Sequence, residues 1–403
     1  MQDHQHHAPG AYIPSARALQ VAARVDAIEP FRVMEMVKAA AAMTRYGIDV
    51  ISMSVGEPDF TAPDIVAAAA MAAIQKGSTQ YTESLGLRAL RDAISRHYAA
   101  AHGLDIDPRR IVITAGASAG LLLACAALVS EGDEVLMPDP CYPCNRHFVT
   151  SFGGKPVLVP SGPESRYQLT ADHLARHWNE RTRGVIVASP SNPTGTAMTA
   201  AQSEALLAGV RARGGFAIVD EIYQGLSYGE RPTSALAFGD DIITVNSFSK
   251  YFSMTGWRLG WLVVPEALVP TVEKLAQNLF ICAPTIAQHA ALACFTPEAI
   301  AIFEGRRLEF QRRRDFLVPA LRGLGFQVPV LPDGAFYVYA DISGLTHPDA
   351  GDSTAFGMAV LKEAEVAIVP GDDFGFAAPK RHVRFSYAAK YERIEQAVAR
   401  LGR

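Results

Sequence analysis

The chain has 403 residues, 49% of them hydrophobic, and a formal net charge of -4 at pH 7. This length and apolar content allow a large core and two domains, and the near-neutral charge argues against a nucleic-acid partner or a polybasic membrane contact. Five scattered cysteines indicate reduced thiols and a cytoplasmic location, and no apolar run approaches the roughly 18 residues of a membrane span. The polar N-terminal tail, which carries several histidines, predicts disorder rather than a signal peptide.

Helical patterns dominate the chain before about Ser54, and from there to about Pro297 short apolar runs alternate with longer helical patterns. Most of these runs are apolar throughout, which is typical of strands in a largely parallel sheet covered by helices on both faces. We therefore predict an α/β domain. Its seven predicted strands lie at 111–113, 134–137, 155–159, 184–187, 216–219, 242–245 and 260–264.

The pattern changes after Pro297, where a long charged helix precedes strand-like segments at 335–339 and 382–386 with another helix between them. We predict a large domain at residues 55–297 and a smaller α+β domain formed by both chain ends, residues 1–54 and 298–403. The arginines of the long helix alternate with apolar positions, so we predict that they form a solvated face rather than a nucleic-acid patch. They are Arg306, Arg307, Arg312, Arg313 and Arg314.

Small and aromatic residues follow the first two predicted strands, at the edge where ligands bind in open α/β sheets. Gly116, Ala117 and Ser118 open a helix, so their backbone N–H groups and the helix dipole favour an anion, although a plain tight turn explains them equally well. Tyr142 is placed to stack on a flat ring, or belongs to the core. Cys141 and Cys144 form a single CxxC pair, and without a second pair we predict no metal site.

Hydrogen-bonding and acidic groups follow the next two strands. Asn192 lies in a stiff turn at 189–195 that presents its amide at the strand end, unless the amide merely caps its own turn. Asp220 comes directly after an apolar run, where an unpaired carboxylate is costly to bury. Its partner is a cation, either a protonated ring nitrogen or a structural salt bridge. Tyr223 lies three residues further on and can face the same cavity.

Lys250 follows the strand at 242–245, with Ser247 and Ser249 before it and Arg258 after it. Most lysines are solvated, but a lysine held in a pocket can lose its proton and attack a carbonyl to form a Schiff base. A serine hydroxyl and a guanidinium beside it form a phosphate clamp. Together these strand ends match the ring, nitrogen, phenolic oxygen, aldehyde and phosphate of pyridoxal 5′-phosphate. NAD is not indicated, because no GxGxxG opens the first βα unit.

At this point the sequence resembles the class I/II aminotransferases, the fold-type I enzymes that use pyridoxal phosphate. The matching strings occur in family order across nearly the whole chain, at 56–60, 81–91, 191–195, 220–223, 247–250, 254–260, 332–337 and 384–386. The resemblance implies a fold-type I α/β architecture, with a mostly parallel seven-stranded sheet in the large domain and a smaller α+β domain.

The resemblance also assigns roles toward the cofactor. Lys250 is expected to carry it and to move the proton, while Asp220 pairs with the ring nitrogen. Asn192 and Tyr223 are expected to hydrogen-bond its phenolic oxygen, and Tyr142 to stack on its ring. The residues expected to bind its phosphate are Gly116, Ala117, Ser118, Ser247 and Arg258.

Further roles concern the substrate and a neighbouring subunit. Arg384 is expected to hold the substrate α-carboxylate as a bidentate pair, with Gly56 and Asn192 beside it. Tyr81 is expected to reach the phosphate bound by the neighbouring subunit, which implies a homodimer with shared active sites. The loop at 370–375 carries two acids, Asp372 and Asp373, which we expect at the substrate entrance, where they disfavour acidic substrates.

The implied activity is the transfer of an amino group between an L-amino acid and a 2-oxo acid, by a ping-pong mechanism through aldimine and ketimine linkages. One alternative is a C–S lyase or another eliminating enzyme of the same fold. A second is a non-enzymatic regulator, which needs a winged-helix module in front, whereas only about 30 residues precede the first helical segment. The substrate side chain stays open among aspartate, alanine, branched and aromatic donors. We expect pocket walls from the segment near 28–31 and the loop near Tyr142.

Overall fold

A computed structural model describes residues 20–30 and 33–403 of the chain. Its strands are β1 (Ile51–Ser52), β2 (Ile111–Thr114), β3 (Glu134–Asp139), β4 (Lys155–Pro160), β5 (Thr182–Ala188), β6 (Phe216–Asp220), β7 (Ile243–Ser247), β8 (Gly260–Val263), β9 (Tyr337–Asp341), β10 (Val366–Ala367), β11 (Val369–Pro370) and β12 (His382–Ser386). The predicted disordered tail and Phe31 lie outside the described residues.

The α-helices of the described residues alternate with these strands. They are α1 (Val33–Arg45), α2 (Asp64–Gln75), α3 (Arg88–His102), α4 (Ala117–Leu128), α5 (Pro143–Ser151), α6 (Ala171–His177), α7 (Ala200–Arg211), α8 (Val269–Leu279), α9 (Thr285–Ala291), α10 (Pro297–Gly323), α11 (Ser353–Glu363) and α12 (Tyr391–Leu401).

The largest sheet has seven strands in the order β2-β8-β7-β6-β5-β3-β4. Strand β8 runs antiparallel to both its neighbours, and the other strand pairs of this sheet are parallel. These are the seven strands predicted from the apolar runs, so the mostly parallel α/β sheet is confirmed. The segment predicted at 335–339 becomes a strand two residues later, since β9 spans Tyr337–Asp341.

Strand residues are buried on both faces of this sheet, which explains why the runs are apolar throughout. In β2, Ile111 and Ile113 belong to one core cluster while Val112 belongs to another, and all three are at most 2% exposed. Successive side chains of a strand point to opposite faces, so helices must cover both. Burying each such side chain stabilises the folded state by about 1.5–3 kcal/mol. The sheet therefore does not depend on the site residues for its stability.

The two chain ends meet in smaller sheets beside the large one. Strand β1 pairs in parallel with β10, placing Ile51 opposite Val366, and β11-β12-β9 form an antiparallel three-stranded sheet. This pairing brings the N-terminal and C-terminal segments together. The domain boundaries at 55–297 and at 1–54 with 298–403 stay a prediction.

The predicted solvated arginine face of α10 is only partly correct. Arg312 is exposed, but Arg313 and Arg314 are buried. The Arg313 guanidinium donates to both carboxylate oxygens of Asp59, at 2.7 and 3.0 Å, and also to Glu309. A buried charge needs such partners, because leaving it unpaired costs about 3–5 kcal/mol. Helix α10 is therefore tied to the loop that precedes α2.

Within the described residues, no single helix is long and apolar enough to cross a membrane. The bent pair Thr285–Phe295 and Pro297–Gly323, which meets at 84°, passes the same test of length and composition when its two helices are taken together.

Six strands of the large sheet, all except β8, run in the same direction and end at one edge. Their last residues are Thr114, Asp139, Pro160, Ala188, Asp220 and Ser247. Carboxyl ends of parallel strands face the same crevice, so the residues that follow them converge there.

Candidate active site

A cavity of about 450 Å³ opens at this carboxyl edge. Most of the predicted site residues line it: Gly56, Ala117, Ser118, Tyr142, Asn192, Asp220, Tyr223, Ser247, Lys250, Arg258 and Arg384. Two predicted residues lie elsewhere. Gly116 packs closely against the guanidinium of Arg258, and Tyr81 is 78% exposed on the surface.

Lys250 lies three residues beyond the end of β7, and its Nζ donates to the backbone oxygen of Gly56 at 2.6 Å. The side chain keeps some accessible surface because it faces the cavity. Protein atoms nevertheless surround the ammonium, and this burial lowers the pKa of Lys250 to about 8, although the nearby Glu57 and Asp220 carboxylates favour the charged form. Roughly a tenth of the amine is therefore neutral at pH 7, far more than for an ordinary solvated lysine.

Asp220 ends β6, the strand next to β7. Its carboxylate accepts from the backbone N–H of Ile222 at 3.1 Å and is 5% exposed. Burial raises the pKa of Asp220 to about 7, while the Ile222 hydrogen bond and the Lys250 charge lower it. Among the described residues the carboxylate therefore lacks a full counter-charge, as expected of a group that binds a cationic ligand.

The N-terminus of α4 lies at one end of the cavity, where its backbone N–H groups are suited to an anion. Gly116 has φ 84°, and an added Cβ would lie 2.5 Å from a terminal nitrogen of Arg258, so glycine is needed both for the backbone and for the approach of this guanidinium. Arg258 also donates to the backbone oxygen of Thr255 at 3.0 Å. The Ser247 hydroxyl accepts from the Ser249 N–H at 3.0 Å. Helix N–H groups, hydroxyls and a guanidinium suit a phosphate.

Arg384 lies in β12, and the whole residue is only 5% exposed. It donates to Asn192 Oδ1 at 2.8 Å and to the backbone oxygen of Ser54 at 2.8 Å, while its Nε has no hydrogen-bond partner in the part of the chain that the structure describes. Asn192 and Arg384 are 192 residues apart in sequence, yet the fold brings them together as predicted for a shared carboxylate site.

Aromatic side chains surround these polar groups. The hydroxyl groups of Tyr223 and Tyr337 are 2.9 Å apart and hydrogen-bonded, and burial raises the pKa of Tyr223 well above its ordinary value. The Arg384 guanidinium lies 4.4 Å from the ring centroid of Tyr337 and 4.9 Å from that of Phe374. Tyr142 lines the cavity, and burial raises its pKa too.

Several lining residues were given no role by the sequence. Tyr337 lies in a family-like string at 332–337, which was its only signal, and Ser249 was noted beside Lys250. Of the acids in the 370–375 loop, Asp373 lines the cavity, whereas Asp372 does not and accepts from the Thr354 hydroxyl. The other unpredicted lining residues are Met34, Val37, Ser54, Val55, Leu121, Pro143, Ala188, Ile222 and Phe374. Ile28 is described but does not line this cavity.

No metal chemistry is indicated by the described residues, which contain no group of three His, Cys, Asp or Glu side chains placed to hold an ion. Cys141 and Cys144 are free thiols. The cavity instead combines a lysine of lowered pKa, a buried carboxylate, a helix N-terminus with Arg258 beside it, and a second buried arginine, Arg384. This set fits pyridoxal phosphate, and it defines the class of pyridoxal-phosphate-dependent enzymes.

Comparison with known proteins agrees with this class. Residues 48–401 match the family model described as aminotransferase class I and II. The chain is 42% identical to the valine--pyruvate aminotransferase of Mycobacterium tuberculosis, over 93% of this chain and 96% of that protein. It is 35% identical to a probable aspartate/prephenate aminotransferase of Aquifex aeolicus, over 94% and 97%. A crystal structure of an aminotransferase from Mycobacterium tuberculosis superimposes with a TM-score of 0.91 at 41% identity, covering 96% of this chain and 98% of that one.

The chain belongs to the class I and II aminotransferase family. The predicted fold-type I architecture, the pyridoxal phosphate cofactor and the aminotransferase activity are thereby confirmed. The comparisons do not test the roles of individual side chains, which stay predictions.

The raised pKa of Asp220 predicts a dependence of stability on pH. Between its unfolded value of 3.8 and its folded value of about 7, the folded chain keeps a proton that the unfolded chain releases. The free energy of unfolding therefore falls as the pH rises through this window, because Asp220 has to ionise while it is buried. We expect cofactor-free Asp220→Asn to melt about 3–8 °C above cofactor-free wild type at pH 8, and the difference to shrink toward pH 5.

Thermal unfolding of both proteins at the two pH values checks this expectation. Asp92→Asn is the matched control, since it removes one carboxylate from the surface pair with Arg88 on α3. An Asp220→Asn protein that melts at or below the wild-type temperature at pH 8 would contradict the assignment of an uncompensated carboxylate.

Proposed function

We propose that this aminotransferase takes its amino group from L-amino acids with apolar aliphatic side chains and passes it to a 2-oxo acid. The observation that carries this proposal is the distribution of charge in the cavity. Among the described lining residues the cations are Lys250, Arg258 and Arg384. Each is proposed to serve a part of the reaction that all amino acids share.

Arg384 is proposed to bind the substrate α-carboxylate, because it already holds the Asn192 amide and retains an unpaired N–H. Arg258 lies at the helix N-terminus and is proposed to bind the cofactor phosphate. No further cation remains among the described lining residues for a carboxylate on the substrate side chain. The rest of the wall is largely apolar, with Met34, Val37, Val55, Leu121, Pro143 and Phe374.

Asp373 and Phe374 also belong to this wall, and Asp373 is 4% exposed. A carboxylate on the substrate side chain would have to enter a largely apolar wall in which no cation among the described lining residues is left to pair with it, and burying an unpaired charge disfavours binding. Acidic donors are therefore expected to be poor substrates.

The names of relatives give partial support. The relative at 42% identity is named a valine--pyruvate aminotransferase, and valine has an apolar branched side chain. The relative at 35% identity is named for aspartate and prephenate. Those names describe those proteins. For this chain, the apolar cavity favours a donor like valine over one like aspartate.

The cofactor residues are proposed to act as the family resemblance implies. Bound pyridoxal phosphate supplies an electrophilic carbon and a conjugated ring that accepts electrons. Asn192 and Tyr223 would hold its phenolic oxygen, and Tyr142 would cover its ring. The residues proposed to hold its phosphate are Gly116, Ala117, Ser118, Ser247 and Arg258.

Proton movement is proposed to centre on Lys250. Its Nζ has a pKa near 8, so the neutral amine can accept the substrate α-proton near neutral pH and release it again. Asp220 can hold a protonated ring nitrogen, and such a partner keeps the carboxylate ionised. Gly56, whose backbone oxygen binds Nζ, would lie beside the substrate carboxylate held by Arg384.

Neither alternative activity receives its own support. No observation in the cavity distinguishes a C–S lyase, and the named relatives above are aminotransferases. The chain belongs to the aminotransferase family, and no observation in the cavity favours a purely regulatory role.

A spectroscopic half-reaction screen tests the substrate proposal. Wild-type protein carrying cofactor is mixed with single amino acids, and the loss of its visible absorption band is followed. We expect valine, isoleucine and leucine to convert the cofactor at least about tenfold more efficiently than aspartate or glutamate, which corresponds to about 1.4 kcal/mol. Faster conversion by aspartate or glutamate would overturn the substrate class while leaving the aminotransferase activity intact.

A cytoplasmic homodimer with shared sites is also proposed. Tyr81 is 78% exposed on the single chain, and exposed tyrosines are enriched where another subunit covers the surface. If it reaches the neighbouring phosphate, the protein recovered from the cytosolic fraction should have twice the mass of one chain by light scattering. Tyr81→Phe should then weaken retention of the cofactor without dissociating the dimer. A monomer, or recovery in a membrane fraction, would contradict this proposal.

A further inference from the structure

Two segments face the cavity from positions far apart in the sequence. Residues 139–146, at the end of β3 and the start of α5, supply Tyr142 and Pro143 to its wall. Residues 371–377, which follow β11, supply Asp373 and Phe374. The predicted domain boundaries assign the first segment to the large domain and the second to the small one.

Asp139 joins these two segments. Its carboxylate is buried, with the residue 3% exposed, and Oδ2 accepts from the backbone N–H groups of Phe376 at 2.9 Å and Ala377 at 3.0 Å. Hydrogen bonds to a carboxylate are stronger than those between neutral groups. Phe376 is 237 residues from Asp139 along the chain, so this is a tertiary contact.

Two weaker contacts run beside it. The Cys141 N–H donates to the Phe374 backbone oxygen at 2.8 Å. The buried Arg146 donates to the Asp373 backbone oxygen at 3.3 Å. The two cavity residues of the loop, Asp373 and Phe374, are thus held through their backbone by the same segment that carries Tyr142.

Gly375 shows how closely the carboxylate and the loop fit. A Cβ built on Gly375 would overlap Asp139 Oδ1 and lie 2.6 Å from its Cγ, and the three nearest atoms all belong to Asp139. The φ of Gly375 is outside the left-handed range, so the backbone does not demand glycine there. Within residues 20–30 and 33–403, Asp139 Oδ1 has no hydrogen-bond partner, and it lies in close contact with Gly375 instead.

We propose that Asp139 is a positioning residue that, packed against Gly375, fixes the loop at 371–377 and thereby the wall that faces the substrate. The ring of Phe374 lies 4.9 Å from the Arg384 guanidinium, so a displaced loop also displaces a contact of the arginine that binds the α-carboxylate. This inference rests on the proposed function, because it takes the cavity as the substrate site.

Hydrogen exchange measured by mass spectrometry on the cofactor-loaded protein tests the anchor without any measurement of activity. In Asp139→Ala, peptides that contain the Phe376 and Ala377 amides should exchange at least about tenfold faster, because both N–H groups lose their acceptor. Peptides of β12 should be unchanged. Wild-type exchange rates in the loop peptides would overturn the proposal.

Steady-state kinetics test the consequence for the substrate. Asp139→Ala and Gly375→Ala should each raise KM for the preferred amino acid about tenfold, with kcat within about threefold and the cofactor absorption band unchanged. The double variant decides between a shared contact and two separate defects. Because Asp139→Ala removes the atoms that the new methyl group would meet, adding Gly375→Ala to it should cause no further loss. Additive losses would contradict the proposal.

Asp92→Ala is the matched control, since this acid pairs with Arg88 on the surface of α3 and does not line the cavity. Its KM and loop exchange should equal those of wild type. If Asp139→Ala does not fold, Gly375→Ala alone carries the test through the same two measurements. If the wild-type enzyme prefers acidic donors, the proposed substrate class is wrong. The proposed role of Asp139 is then tested with the preferred acidic donor as substrate and by hydrogen exchange.

Discussion

Two opposite charges buried at neighbouring strand ends are the constraint on which the active site depends. Asp220 ends β6, Lys250 follows β7, and these strands are adjacent in the large sheet. Burial opposes both charges, raising the pKa of Asp220 to about 7 and lowering that of Lys250 to about 8. Burying these two charged groups destabilises the folded protein when no cofactor is bound. The apolar side chains buried in the large sheet offset this cost. The cost falls on the two groups that the bound cofactor would engage.

The sheet and most of the site could be predicted because local sequence determines them. Strands such as β2 are buried on both faces and therefore read as continuous apolar runs. Parallel strands share one carboxyl edge, so the residues after Ile113, Val187 and Val219 had to converge. Family-like strings then supplied the remaining roles, including that of Arg384. Its pairing with Asn192 needs a contact across 192 residues, which no local pattern shows.

What could not be predicted comes from tertiary packing between distant segments. Arg313 was expected in solvent because its helix is charged, but the fold provides Asp59 as a partner. Phe374 and Asp373 lie in a loop whose sequence gives no periodicity, and their place in the wall follows from contacts with residues 139–146. We propose that selectivity for the substrate side chain resides in these walls. The chemistry shared by the family could therefore be predicted from the sequence, whereas the proposed substrate class rests on the cavity.

The central claim is that Lys250 is the amine that carries the cofactor. Reduction of the cofactor-loaded protein with borohydride, followed by proteolysis and mass spectrometry, locates the modified lysine directly. The account predicts a single modified peptide containing Lys250, and loss of this label in Lys250→Ala. Label on another lysine, or a fully active Lys250→Ala protein, would contradict it.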